Sequence, residues 1–131
     1  MIGFKVIGYH GTNVPDIKTF RLDGKESNGA IFFSKTREYA DEAAYVKKEF
    51  HGGTETVYAA KLLIQYPYIA CLKPGKFADP VAEKSIIQYA KAEGFDGVIF
   101  YEDREEDSDV FFAVFSPEQI EVQEIYEAMK E

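Results

Sequence analysis

Residues 4–12 read FKVIGYHGT, and this stretch decides which fold the chain is expected to adopt. Its Phe, Val, Ile and Tyr residues favour a first β-strand that is largely buried on both faces. The strand is predicted to end at His10-Gly11-Thr12, where an imidazole, a backbone without a Cβ and a hydroxyl follow one another. Such a strand end suits a polar ligand, because glycine lets a planar group approach the main chain. An ordinary turn explains these residues equally well.

A second apolar stretch, residues 30–34 (AIFFS), follows a long polar loop. It is too short for a helix and is predicted to be a strand. Thr36 is a suitable N-cap for a helix that continues to about Phe50. The two phenylalanines of the strand either offer a stacking surface to a planar ring or pack in the core. Helical spacing predicts one apolar face on the helix, made of Tyr39, Ala43, Val46 and Phe50.

The remaining sequence adds further strands and a second helix. Asp79-Pro80 is a typical helix start, and the helix is predicted to reach about residue 93. About six or seven strands, two helices and strands at both ends favour an α+β fold. No repeat or linker divides the chain, so one domain over residues 1–131 is expected. The further strands are predicted over residues 54–66, 68–72, 97–101, 110–115 and 120–126.

Composition and charge exclude several classes of protein. The 131 residues are 46% hydrophobic, which is enough to bury a core. With 15 Lys+Arg against 23 Asp+Glu the net charge is −8, which makes nucleic acid and anionic membranes unfavourable partners. The single cysteine, Cys71, has no disulfide partner and no metal-ligand spacing around it, so no metal is expected. Without a signal or membrane-spanning stretch, the sequence predicts a cytoplasmic protein.

An acidic segment, residues 102–109, precedes the apolar strand that begins at Val110. A carboxylate at the mouth of a strand, such as Asp107 or Asp109, can stabilise developing positive charge or orient a nucleophile. Solvated surface charge is the alternative interpretation. The defining motifs of dinucleotide-fold oxidoreductases, P-loop enzymes, zincins and serine hydrolases are absent from the sequence.

The order of these segments resembles that of the small, HGT-type ADP-ribosyltransferase-like domains of bacteria and phages. The resemblance covers nearly the whole chain and implies two small, packed, mainly antiparallel sheets with about two main helices. It also implies NAD as the substrate that donates ADP-ribose. The matching segments are residues 9–12, 30–34, 39–45, 94–98 and 114–120.

The resemblance assigns roles to residues of this chain. His10 would hold the NAD ribose, and the backbone of Gly11 would bind the nicotinamide carboxamide. A helical tyrosine normally stacks on the nicotinamide, but Ala43 occupies that position here. Tyr39 or Tyr45 would have to substitute, and Tyr45 is the preferred candidate. The full set expected to bind the cofactor is His10, Gly11, Thr12, Phe32, Phe33, Ser34, Tyr39 and Tyr45.

The chain departs from the family pattern at the position of its glutamate, where it has Phe111. Asp109 lies two residues earlier, on the same face of the strand, and is the expected substitute, with Asp107 behind it. Asp109 and His10 are therefore the predicted catalytic residues. The resulting hypothesis is a mono-ADP-ribosyltransferase that acts on a macromolecular acceptor, with protein as the expected class of acceptor and a toxin or phage-effector role as a refinement. The alternative is a non-enzymatic binding or inhibitor protein on the same fold that uses its acidic surface.

Overall fold

The computed structural model describes residues 4–15, 17, 20, 29–72, 80–102 and 110–127. Two helices and seven strands occur in these ranges, close to the boundaries predicted from the sequence. In chain order they are β1 (Phe4–Thr12), β2 (Ile31–Ser34), α1 (Arg37–His51), β3 (Thr56–Ile64), β4 (Pro67–Leu72), α2 (Pro80–Ala92), β5 (Gly97–Glu102), β6 (Val110–Val114) and β7 (Ile120–Glu127). A short 3-10 turn, Pro117–Gln119, precedes β7.

The strands form one sheet in the order β4-β5-β6-β2-β1-β3-β7. Only β4 and β5 pair in parallel, and the other neighbouring strands run antiparallel. β1 pairs with β3 over its whole length, whereas β1 and β2 share one pair, Tyr9 with Ser34. The predicted α+β fold is confirmed. The two sheets that the resemblance implied are two halves of one hydrogen-bonded sheet, and the halves meet at the pair of Tyr9 with Ser34.

The core follows the two-residue period of the strands. On one face of β3 the residues Tyr58, Leu62 and Ile64 are fully buried, and they share a hydrophobic cluster with Phe33 of β2. This cluster also contains Val114 of β6, so side-chain packing holds the two halves of the sheet together. A second cluster forms where α2 packs on β5. Its members include Ile87, Ala90, Val98 and Phe100.

Helix α1 packs against β1 and β3 through small side chains. Ala40 and Ala44 are its buried residues, and they cluster with Val57. The predicted apolar face of Tyr39, Ala43, Val46 and Phe50 was wrong as a core face, since the Phe50 side chain is 78% exposed. The physical reason is the short distance between helix and strand, which leaves room only for alanine at the contact.

Candidate functional site

The two halves of the sheet separate beside α1, and a cavity of about 170 Å³ lies at that point. β1 and β2 run antiparallel and pair only at Tyr9 and Ser34, so the two strands diverge along residues 10–12 of β1. On this edge of β1 the carbonyl of Gly11 accepts a hydrogen bond from Lys47 of α1 instead of from a strand. The lining residues are Tyr9, His10, Gly11, Phe32, Phe33, Ser34, Tyr39, Ala40, Ala43, Lys47 and Phe111.

His10 is held at the cavity by one hydrogen bond and two ring contacts. Its Nδ1 lies 2.8 Å from the carbonyl oxygen of Phe32. Because a carbonyl only accepts, Nδ1 must carry the proton, and Nε2 of the neutral ring is an acceptor. The imidazole packs edge-on against Phe20, with ring centroids 5.2 Å apart, and tilted against Phe33 at 5.5 Å. The ring is thereby fixed in one orientation and one tautomer.

The imidazole of His10 is neutral at pH 7. Burial lowers its pKa from the ordinary value of 6.5 to about 4, and the positive charge of Lys47 lowers the pKa in the same direction. The hydrogen bond to Phe32 opposes these effects. The residue as a whole is half-buried, and it lines the cavity. His10 can therefore accept a hydrogen bond from a ligand hydroxyl at neutral pH.

Gly11 lines the cavity, and the absence of a side chain at this position is also what allows α1 to pack closely on β1. A Cβ at this position would lie 1.9 Å from the backbone oxygen of Ala40 in α1. The sequence predicted that glycine would admit a planar ligand, and the structure adds that only glycine admits the helix. The Gly11 carbonyl accepts a hydrogen bond of 2.8 Å from Nζ of Lys47. Thr12, in contrast, is buried opposite Thr56 and does not line the cavity.

The β2 strand forms the aromatic wall of the cavity. Phe32, Phe33 and Ser34, three of the residues predicted to bind the cofactor, all line it. Phe33 also packs into the core and is 1% exposed, so the core interpretation applies to this residue, and stacking of its ring on a ligand stays a prediction. The Ser34 hydroxyl is buried and lies 2.6 Å from the carbonyl oxygen of Thr36, to which it donates. This bond fixes the turn between β2 and α1.

The helix presents Tyr39, and not Tyr45, to the cavity. Tyr39, Ala43 and Lys47 follow one another at intervals of four and share a face of α1. Tyr45 lies six residues after Tyr39, which turns it about 120° around the helix, away from the cavity face, and there it is 53% exposed. Of the two tyrosines proposed to replace the one absent at Ala43, Tyr39 lines the cavity and the preferred candidate, Tyr45, does not. Lys47 was missed by sequence reasoning, although its spacing from Ala43 is the signal that identifies it.

Phe111, which the resemblance places at the position of a glutamate, lies in the cavity wall. Its ring meets the ring of Tyr39 edge-on, with centroids 4.5 Å apart. Within the described part of the chain, no carboxylate lines the cavity. Asp107 and Asp109, the predicted sources of a carboxylate, lie outside the described residues.

A second, open groove of about 420 Å³ runs along α1 and shares Tyr39, Ala43 and Lys47 with the cavity. A ligand larger than the cavity can therefore extend along the helix. Among the described residues, no group of three side chains suited to a metal ion occurs. Neither α1 nor α2, the helices that the structure describes, is long and apolar enough to cross a membrane.

Comparison with known proteins supports the resemblance seen in the sequence. A family model described as ADP-ribosyltransferase in polyvalent proteins matches residues 3–122, nearly the whole chain. Comparisons with curated proteins and with solved structures find no match. The predicted family is thereby confirmed. A cavity at the junction of two half-sheets, with a histidine and a glycine from the first strand, lies entirely within the matched region. The chain belongs to the family of ADP-ribosyltransferase domains of polyvalent proteins.

Proposed function

We propose that this chain is an NAD-dependent mono-ADP-ribosyltransferase that transfers ADP-ribose to a protein acceptor. One observation carries the proposal: the cavity brings together His10 and Gly11 of β1, Phe33 and Ser34 of β2, and Tyr39 of α1. These residues come from three separate elements of a chain that belongs to an ADP-ribosyltransferase family. A toxin or phage-effector role remains a prediction from the sequence.

The residues at the cavity fit the chemistry of this reaction. The bond between C1′ of the ribose and the ring nitrogen of nicotinamide breaks, and its electron pair stays with the ring. C1′ then accepts a nucleophilic atom of the acceptor, which loses its proton. In this proposal Nε2 of His10 accepts a hydrogen bond from a ribose hydroxyl, and its fixed tautomer makes it ready to do so. The rings of Tyr39 and Phe33 bound the space for the nicotinamide.

The carboxylate in this proposal comes from Asp109, with Asp107 as the second candidate. A carboxylate beside the ribose would stabilise the positive charge that develops at C1′. Asp109→Asn and Asp107→Asn, compared one at a time, test the assignment. The variant that loses nicotinamide release identifies the residue. If both variants retain full activity, neither residue has this role.

The proposal is tested by incubating the purified chain with NAD that carries a label in the adenosine half. Released nicotinamide and label transferred to protein are measured together. His10→Ala is expected to lower both at least about 100-fold, because the ribose loses its positioning contact. Gln88→Ala is the control, since Gln88 is exposed on α2 and lines neither the cavity nor the groove along α1. If the wild type releases no more nicotinamide than His10→Ala does, the catalytic proposal is wrong.

The alternative is a binding or inhibitor protein on the same fold. The observation that favours it is the pairing of Phe111 with Tyr39, which fills the position of the family's glutamate with an apolar ring. The two candidates differ in their response to NAD. An enzyme is stabilised by NAD and releases nicotinamide, whereas a pure protein binder shows no rise in melting temperature and no release.

A further inference from the structure

An apolar stripe runs along the outside of α1, in the open groove that adjoins the cavity. Tyr39, Val46 and Phe50 line this groove, and they fall within about 40° of one another around the helix axis. Their exposed fractions are 43%, 44% and 78%. The apolar face that the sequence predicted for the helix therefore exists, but it faces solvent instead of the core. An exposed apolar surface of this kind is typical of a binding surface.

An acidic rim, made of Glu38, Glu42 and Glu49, lies beside the apolar stripe. These residues also fall within about 40° of one another, and the rim lies about 80° around the helix from the stripe. All three are exposed, and in the part of the chain that the structure describes no ion pair engages them. Lys47, on the other side of the stripe, donates to the carbonyl oxygen of Gly11. A partner that approaches the rim therefore meets negative charge.

The stability of the helix explains neither the stripe nor most of the rim. Glu38 is favourable in the first turn, but Glu42 follows it by four residues, and like charges at this spacing repel. Glu49 lies in the last turn, where the helix dipole favours a cation. Phe50 has a lower helix propensity than alanine or leucine, and its side chain buries little area. These residues fit a surface that a partner completes.

The groove leads directly to the cavity. Tyr39 and Ala43 line both, and Phe50 lies further along the same helix. At the rise of an α-helix, Phe50 is about 16 Å from Tyr39 along the axis. An extended segment covers this distance with about five residues. A partner held at Phe50 can therefore present one of its residues at the mouth of the cavity, where C1′ of the ribose would be attacked.

We propose, resting on the proposed function, that this groove is the docking site of the protein acceptor. The acceptor places an apolar side chain against Val46 and Phe50, and Lys or Arg residues against the acidic rim. Its modified residue lies about five residues from the apolar one. Basic residues complement the rim, whereas a second copy of the chain, with its own rim and a net charge of −8, is repelled. The groove therefore selects acceptors by an apolar residue that basic residues flank.

The probe is a short peptide with Lys-Leu-Phe-Lys at its centre and Gly-Ser repeats on both sides. Two control peptides carry Glu-Leu-Phe-Glu or Lys-Ser-Ser-Lys at the centre. Dissociation constants are measured from the amide NMR shifts of the full chain, without NAD. The wild type is expected to bind the Lys-Leu-Phe-Lys peptide at least about tenfold more tightly than either control, with the largest shifts in α1.

Two variants test whether the peptide binds in the groove. Phe50→Ser is expected to weaken its binding at least about tenfold, because the apolar contact is lost. Glu42→Lys is expected to weaken it at least about fivefold, and less at high salt, because the charges then repel. Tyr89→Ser and Glu93→Lys are the matched controls, since both residues are exposed and line neither the groove nor the cavity. Each control is expected to change the affinity less than about twofold.

The same peptide tests whether the groove serves the transfer reaction. NAD labelled in the adenosine half is incubated with the chain and a cell extract as the source of acceptor protein. At about ten times its dissociation constant, the Lys-Leu-Phe-Lys peptide is expected to lower the label transferred to protein at least about fivefold, because it occupies most of the docking sites. The Lys-Ser-Ser-Lys peptide at the same concentration is expected to leave the transfer unchanged.

The possible results distinguish this inference from the proposed function. A wild type that binds the three peptides equally, a Phe50→Ser variant that keeps full affinity, or a transfer that the peptide does not lower would overturn the docking site. A dimer in sedimentation that Phe50→Ser dissociates would assign the groove to a second copy and overturn it as well. If the wild type releases nicotinamide from NAD in any of these cases, the proposed function stands. If the wild type does not cleave NAD, the proposed function and the acceptor site are both wrong.

Discussion

Acidification is expected to destabilise this protein through His10 in particular. The pKa of its imidazole is about 4 in the folded chain and 6.5 when exposed, so the unfolded state binds the proton more tightly. The folded state therefore loses stability as the pH falls from 6.5 to about 4, and above 6.5 the contribution is fully present. The difference in pKa corresponds to ~3 kcal/mol of unfolding free energy over this window.

The measurement is urea unfolding of the wild type and of His10→Gln at a series of pH values between 4 and about 7. The glutamine amide can still donate to the carbonyl of Phe32 but cannot be protonated in this range. Carboxylates titrate in both proteins, so the difference between the two pH profiles isolates His10. The chain has two histidines, and the NMR resonance that disappears in the variant reports the pKa of His10 directly. Parallel pH profiles, or an imidazole that titrates near 6.5, would refute the reasoning.

Three further substitutions test the geometry of the cavity. Gly11→Ala forces a Cβ against the helix backbone, and urea unfolding is expected to show an unfolding free energy lower by about 3 kcal/mol. In the control Gly94→Ala the new Cβ meets no atom within 4 Å, and the unfolding free energy is expected to fall by ~1 kcal/mol. An equal loss in the two would contradict the close contact with α1. Tyr39→Ala is expected to slow nicotinamide release about tenfold, and Tyr45→Ala less than about twofold. A larger effect of Tyr45→Ala would instead identify Tyr45 as the tyrosine that stacks on the nicotinamide. Phe111→Glu supplies a carboxylate to the cavity wall and is expected to raise nicotinamide release at least about tenfold, so an unchanged rate would argue against a ribose beside this position.

Local sequence signals predicted the elements of the fold but not how they meet. Thr36 lies at the N-cap of α1 as expected, although its side chain makes no capping hydrogen bond, and the helix ends one residue after Phe50, with Gly52 as its C-cap. The pairing of Tyr9 with Ser34 joins strands that are distant in sequence, and no local pattern specifies such a register. The separation of the sheet at this pair therefore became visible only in the structure.

The candidate site was predictable to the extent that its residues follow a family pattern. That pattern led to His10 and to the aromatic segment of β2, and it identified Phe111 as the departure from the glutamate position. It did not lead to Lys47, whose position depends on which face α1 turns toward β1. The apolar periodicity of the helix was misleading here, since close packing at Gly11 favours Ala40 over the larger side chains.

The single pair between β1 and β2 has a consequence for how the amides of this protein exchange with solvent. Backbone pairing couples each half of the sheet internally, but at the junction the halves are connected by the one pair of Tyr9 with Ser34, by hydrogen bonds of side chains such as that of His10 to the Phe32 carbonyl, and by side-chain packing. A ligand in the cavity contacts residues of β1, β2, α1 and β6 at once and so acts as a cross-link between the halves. Deuterium uptake by β1 and β2, measured separately in the free protein, is then expected to slow in concert when the cavity is filled.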